Sequence, residues 1–179
     1  MRVPTWPSVS GSDLAATTRL LGRVPNGIFV VVARRGAPDG EPAVIACWPI
    51  IGLDKPMPTL FWLLDPILNR QVAQLESFGM ISRARAEVPP EKLERAHQRY
   101  RFARDSLIPE LYQGPRPQGG IGGTRSGVKC IHAHLAFHLV AGDDPVATWL
   151  IESGSLQLDL ANFYFEEFPL GLEVESVQQ

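Results

Sequence analysis

Ile28-Phe29-Val30-Val31-Val32-Ala33 is a β-branched run closed on both sides by turn chemistry, and it limits the fold more than any other segment. It is too short to span a bilayer, and its composition favours a buried strand. Pro25-Asn26-Gly27 precedes it. Gly36-Ala37-Pro38-Asp39-Gly40 follows it, and Pro42 to Cys47 then reads as a second strand. The pair predicts a hairpin. Beyond an irregular loop from Pro49 to Pro58, Thr59 to Leu64 is a third strand. Three short strands make a small antiparallel sheet, which needs helices on one face.

The helices are marked by their ends. Ser12-Asp13 caps a short one over Leu14 to Leu21, and Gly22 suits its C-terminus. Asp65-Pro66 opens a second, with a stripe of Ile67, Leu68, Val72 and Leu75 that ends near Gly79. Pro89-Pro90 opens a third over about Glu91 to Leu111. Its predicted apolar face is Leu93, Ala96, Tyr100, Ala103 and Leu107, and its solvated side carries Lys92, Arg95, Arg99, Arg101 and Arg104. Another helix is predicted over about Val128 to Ala141, and a short one follows Asp144-Pro145. The expected fold class is α+β: a small three-stranded antiparallel sheet packed against several α-helices, in a single domain over residues 1–152. Residues 153–179 form an acidic but apolar C-terminal tail, expected either to dock on the domain or to bind a partner.

Composition narrows the setting. Two cysteines in 179 residues make no disulfide framework. The segment from Met1 to Pro7 lacks the apolar core of a signal peptide, so a cytoplasmic location without membrane insertion is expected. All 17 Lys and Arg lie at or before Lys129, and eight acids follow it. Either the acidic end packs near the basic part of the same molecule, or a basic face receives an anionic ligand while the tail competes or recruits a partner. The Arg-rich helix lacks interleaved exposed aromatics, so nucleic acid is not expected as a partner.

Candidate chemistry concentrates in residues 119–134, Gly-Gly-Ile-Gly-Gly-Thr-Arg-Ser-Gly-Val-Lys-Cys-Ile-His-Ala-His. Glycines let amides approach a ligand, and a helix start attracts negative charge. Gly122, Gly123, Thr124, Arg125, Ser126 and Lys129 are therefore expected to bind a small anion such as a phosphate or carboxylate. Cys130 at the helix start, with its pKa lowered by the dipole, Lys129 and Arg125, is the candidate nucleophile, with His132 as its partner. On a helix from Val128, Cys130 and His134 share a face at i, i+4, which makes them the candidate ligands of a divalent metal such as zinc. Asp65 and His97 are further ligands by residue type. Trp48, Trp62 and Trp149 read as core.

These segments resemble a bacterial, chiefly actinobacterial, family known as domain of unknown function 501. The resemblance runs from about Asp13 to Glu152. It rests on Leu21-Gly22-Arg23, Pro56-Met57-Pro58-Thr59-Leu60-Phe61-Trp62-Leu63, the Gly-Gly-Ile-Gly-Gly-Thr-Arg stretch, Val128-Lys129-Cys130-Ile131-His132 and Asp144-Pro145-Val146. It implies no settled activity, only a gene neighbourhood of cell-division and polyphosphate-hydrolase genes. It also implies cysteines at two positions occupied here by Arg35 and Asp65. Three readings stand side by side: a small-anion site beside Cys130 and His132, enzymatic or not; a non-catalytic interaction module linked to cell division or envelope processes, binding a protein partner or a second copy through the tail; and a metal-binding protein using Cys130 and His134.

Overall fold

In the computed structural model, residues 8–168 are described. Helix α1 (Gly11–Leu21) starts at Ser10, whose hydroxyl accepts the Asp13 N–H at 3.0 Å, and ends at Gly22, where φ is 71°. Strands β1 (Phe29–Arg35) and β2 (Pro42–Cys47) form the expected hairpin. The loop that follows contains a minute ladder of β3 (Ile50–Ile51) and β4 (Lys55–Pro56), and β5 (Phe61–Leu63) then pairs with β2. Five helices follow: α2 (Pro66–Ser77), α3 (Met80–Glu87), α4 (Pro90–Asp105), α5 (Ile131–Ala141) and α6 (Pro145–Glu152). Asp65 and Asp144 cap α2 and α6, each followed by proline in the first turn, where its missing N–H leaves no bond unmade. No helix among the described residues is long and apolar enough to cross a membrane.

The fold is α+β, but the main sheet has four strands, not three. Its order is β5-β2-β1-β6, antiparallel throughout, and β6 (Phe163–Phe165) comes from the C-terminal tail. Arg34 and Arg35 of β1 lie opposite Tyr164 and Phe163 in register. β6 thus covers an edge of β1 that would otherwise present unpaired amides, while residues 169–179 of the expected tail lie outside the described residues.

Both faces of the sheet are covered, contrary to the one-face expectation. Val30, Val32, Phe61 and Leu63 face a core built with Leu135, Phe137 and Tyr100 from the helices. Phe29, Val31, Ile45 and Leu64 point the other way, against Leu20 and Leu21 of α1 and against Trp62. Burial on two faces explains why β1 reads as a continuous apolar run and does not alternate. Helix α5 runs through the interior, with Ile131 and every residue from Ala133 to Leu139 buried. The segment 80–87, too polar to read as a helix from its pattern, forms α3 because Met80 and Ala84 reach the core.

One cation ties the outlying elements together. Arg34 donates two hydrogen bonds to Asp13 of α1, at 2.8 and 2.9 Å, and one to Glu166 beyond β6, at 2.7 Å. Its guanidinium holds the Asp13 carboxyl below the usual range, against the opposing effect of burial. We expect Arg34→Ala to destabilise the protein by about 2 kcal/mol, the scale of lost charged hydrogen bonds. In hydrogen exchange, both α1 and β6 should lose protection in that variant while α5 keeps it.

Candidate functional site

The glycine-rich segment is a folded turn held from beneath by two buried polar side chains. His97 and Arg104 are 0% and 1% exposed. His97 Nδ1 accepts the Ile121 N–H at 3.1 Å and its Nε2–H donates to the Gly127 carbonyl at 2.9 Å, so the ring sits as a neutral tautomer between both ends of the loop. Arg104 donates to the carbonyls of Gly119 at 2.7 Å and Pro117 at 3.1 Å, and to Asp105 at 2.8 Å. Neither role matches the sequence reading, which put Arg104 on the solvated side of α4 and offered His97 as a metal ligand. The amides of Gly120 and Gly123 are consumed inside the turn, by Thr124 O at 2.7 Å and Gly120 O at 2.9 Å. Glycine is needed for packing: a Cβ on Gly120 would lie 2.4 Å from His97 Nδ1, and one on Gly119, where φ is 79°, would lie 2.6 Å from Gly123 O.

Helix α5 starts at Ile131, three residues later than its apolar pattern suggests. Arg85 Nε–H donates to Val128 O at 2.7 Å, and Cys130 is extended at φ −154° and ψ 124°. This late start breaks the expected pairing of Cys130 with His134. His134 is buried, with Nδ1–H donating to Asp144 at 2.7 Å, while Asp144 caps α6 through the Val146 and Ala147 amides. Cys130 instead comes beside His132 and Glu76, a residue in the last turn of α2 that the sequence did not single out. One donor atom from each of Glu76, Cys130 and His132 lies within 4.8 Å of the others. All three side chains are half-buried.

Glu76 also takes the place foreseen for a ligand anion. Its Oε1 accepts the Ile131 N–H at 2.7 Å and faces His132 Nδ1 at 3.2 Å. The imidazole Nδ1–H thus points at the carboxylate, leaving Nε2 as the free lone pair. The Cys130 thiol is affected in the opposite sense to the sequence expectation. Burial pushes its pKa up, and the negative Glu76 adds to that shift. The amides of Ala133 and His132 oppose it without making a capping hydrogen bond. The free protein therefore carries a protonated thiol here at neutral pH. Cys47, the other cysteine, is buried and pushed up to about 12.

A cleft of about 420 Å³ opens beside Cys130 and His132, while Glu76 does not line it. Cys130, His132, Lys129 and Gly122 line one side, and Thr59, Phe61, Trp62 and Leu63 line the other. Of the expected anion-binding residues, Gly122 and Lys129 reach it. Gly123, Thr124, Arg125 and Ser126 do not line it, and Arg125 and Ser126 face solvent. A groove of about 440 Å³ lies between α4 and α6, but several of its polar groups are already paired, Arg99 with Asp143 and Trp149 with Glu87.

A family model described as a protein of unknown function, DUF501, matches residues 32–152. The chain belongs to this family. No curated protein and no solved structure matches it. The DUF501 match takes in every residue that lines the cleft and holds the glycine-rich turn, while α1 and β6 lie outside it. At the two positions where the family resemblance implied cysteines, this member has a bidentate ion pair. Arg35 Nε lies 2.7 Å from Asp65 Oδ2, and Arg35 Nη2 lies 2.6 Å from Asp65 Oδ1. The Arg35 guanidinium also stacks 4.4 Å from the Phe163 ring centre, which ties the pair to the tail strand.

The His97 clamp makes stability depend on pH. Burial lowers the pKa of both His97 and His138, so the folded protein resists protons that the unfolded chain binds below about 6.5. Their contribution is complete above that pH and falls as pH drops toward the lowered folded values. We expect the melting temperature to decline between pH 7 and 5. In His97→Gln the protein should be less stable at pH 7, by about 1–3 kcal/mol, with a shallower decline. An unaltered slope in that variant would remove His97 from the account.

Proposed function

We propose that the chain binds a divalent cation of the zinc type through Glu76, Cys130 and His132, and presents it to a small anionic ligand in the cleft. The observation that carries this reading is the approach of three different donor types to within 4.8 Å, with Cys130 and His132 among them lining the cleft. A thiolate, an imidazole and a carboxylate suit zinc, whose donors in a tetrahedral site lie about 3.5 Å apart. Three protein donors and a position open to a cleft resemble a catalytic zinc site more than a structural one. Local charge supports a cation over an anion here. Glu76 already occupies the α5 N-terminus, and the raised thiol pKa marks a spot where negative charge needs compensation. A bound cation would displace the thiol proton and supply a Lewis acid for a polar group in the cleft.

Relative to the sequence reading, His132 and Glu76 take the place of His134, and the anion-binding element moves from the loop amides to the cation and Lys129. A second reading draws support from the Glu76–His132 contact at 3.2 Å, which orients the ring as a base would be oriented beside a nucleophilic Cys130. The protonated thiol makes it the weaker of the two.

Cobalt titration of metal-free protein tests the choice. We expect one-to-one uptake, visible bands of tetrahedral cobalt and a thiolate-to-cobalt charge-transfer band. Cys130→Ser should abolish the charge-transfer band, and Glu76→Gln should weaken uptake by about ten- to a hundredfold. His134→Ala should leave the spectrum intact. Uptake without the thiolate band would defeat the metal reading, and rapid alkylation of Cys130 at neutral pH in metal-free protein would favour the nucleophile.

A further inference from the structure

We propose that the cleft binds a short peptide in extended form, as a strand added to the free edge of β5, with a carboxylate of the peptide at Lys129. This names the ligand of the cleft and rests on the reading above for the place of the site, but its hydrogen bonds come from β5 and need no cation. In the main sheet β6 closes one side, and β5 is the outer strand of the other. Phe61 and Leu63 turn their side chains into the helix-covered core, while Trp62 turns its ring to the second face, with Arg23 5.5 Å above it. All three nevertheless line the same cleft, as does Thr59. Side chains alternate between the two faces of a strand, so consecutive residues share a cleft only where it meets the strand along its edge.

The hydrogen bonds of β5 define what that edge offers. The Cys47 N–H donates to Leu60 O at 2.7 Å and the Leu64 N–H to Ala43 O at 2.8 Å, and Ile45 lies opposite Trp62. In an antiparallel pair such bonds recur at every second residue, so Leu60, Trp62 and Leu64 face β2, and the backbone polar groups of Phe61 and Leu63 point away from it. Half of these are taken. The Tyr100 hydroxyl, which accepts the Leu60 N–H at 2.5 Å, also faces the Phe61 N–H, and Asn69 Nδ2 donates to Leu63 O at 3.3 Å. Phe61 O and the Leu63 N–H have no partner among the described residues. An acceptor and a donor on either side of Trp62 match both backbone groups of one residue in a parallel strand, whose N–H donates to Phe61 O and whose carbonyl accepts the Leu63 N–H. An antiparallel strand would make only half of each bonded pair. The opposite wall lets a backbone lie close, because Gly122 has no side chain and Ala133 only a methyl group. Lys129 is exposed and forms no ion pair among the described residues, so its ammonium is available to a carboxylate. The volume of about 420 Å³ suits a small ligand, and three extended residues span about 10 Å.

The test uses zinc-loaded protein and N-acetyl-trialanine with a free carboxylate, its C-terminal amide, and versions of the acid methylated at each backbone nitrogen in turn. Calorimetry gives affinity, and the Leu63 amide signal in a nitrogen–proton correlation spectrum reports the edge. We expect the free acid to bind one-to-one and to move the Leu63 signal downfield as its hydrogen bond forms. Methylation of one nitrogen, the donor to Phe61 O, should weaken binding about tenfold, and methylation of the others by less than about threefold. Amidation should weaken binding about fivefold in the wild-type protein and leave it unchanged in Lys129→Ala. Acetate binding as tightly as the peptide, equal tolerance of every methyl group, or a Leu63 signal that ignores the peptide would each overturn the added strand. A Leu63 signal that follows protein concentration instead would assign the edge to a second copy of the chain and overturn it too. If no zinc is taken up, the same peptides are titrated against metal-free protein. Binding that keeps the methylation pattern then supports the added strand and overturns only the cation, and absence of binding overturns both.

Discussion

Glu76 Oε1 meets the Ile131 N–H and the His132 ring at the start of α5, and that junction organises the centre of the molecule. A helix N-terminus presents unsatisfied amides and a partial positive charge, and a carboxylate satisfies both. Here the carboxylate comes from the end of α2, so one contact joins two helices and sets where the second begins. Because α5 begins at Ile131, Cys130 remains extended and turns toward Glu76 and His132, and His134 turns into the core. The cleft, its donor atoms and its charge all follow from this choice of first turn.

The interior carries a heavier polar load than its apolar composition suggests, and that load is directional. Arg104 and His97 hold the glycine-rich turn by its carbonyls and by one amide. His134 and Asp144 join α5 to the cap of α6. Buried polar groups are tolerated where their bonds are made, and bonds made at fixed geometry remove alternatives. A turn rich in glycine would be a mobile segment in water. Anchored at both ends by side chains of α4, it becomes the floor of a cleft. The Thr17 Oγ1, His134 Nε2 and His138 Nδ1 atoms, each buried without a partner among the described residues, are the exceptions to this accounting.

The elements outside the family match perform a different task. Helix α1 and strand β6 close the second face and the open edge of the sheet, and Arg34 draws both to the same strand through Asp13 and Glu166. The uneven charge along the chain finds part of its explanation there, as an acidic residue of the tail meets an arginine of β1. The Arg35–Asp65 pair lies at the other side of that strand's end, with Phe163 of the tail against the guanidinium. In this member the tail strand and the ion pair are packed as one unit.

The features legible in the chain were local ones. Asp65-Pro66 and Asp144-Pro145 announced their helices because capping needs only neighbouring residues, and Gly22 and Gly142 closed α1 and α5 in left-handed conformations for the same reason. The β1–β2 hairpin was legible from its β-branched run and its turn, and several motifs in order pointed to the family. Tertiary structure decided whatever depended on a partner distant in the chain. Helix α3 exists through two buried side chains, and the fourth strand through an edge that lies 130 residues away. Arg104 looked solvent-facing because its periodicity could not reveal carbonyls converging from Pro117 and Gly119. Cys130 looked like an activated thiol because the sequence showed nearby cations, whereas burial and a carboxylate from α2 control its proton. Residue type and spacing record which groups a chain possesses. Only packing determines which of them lose water together, and that loss sets their charge, their partners and their chemistry.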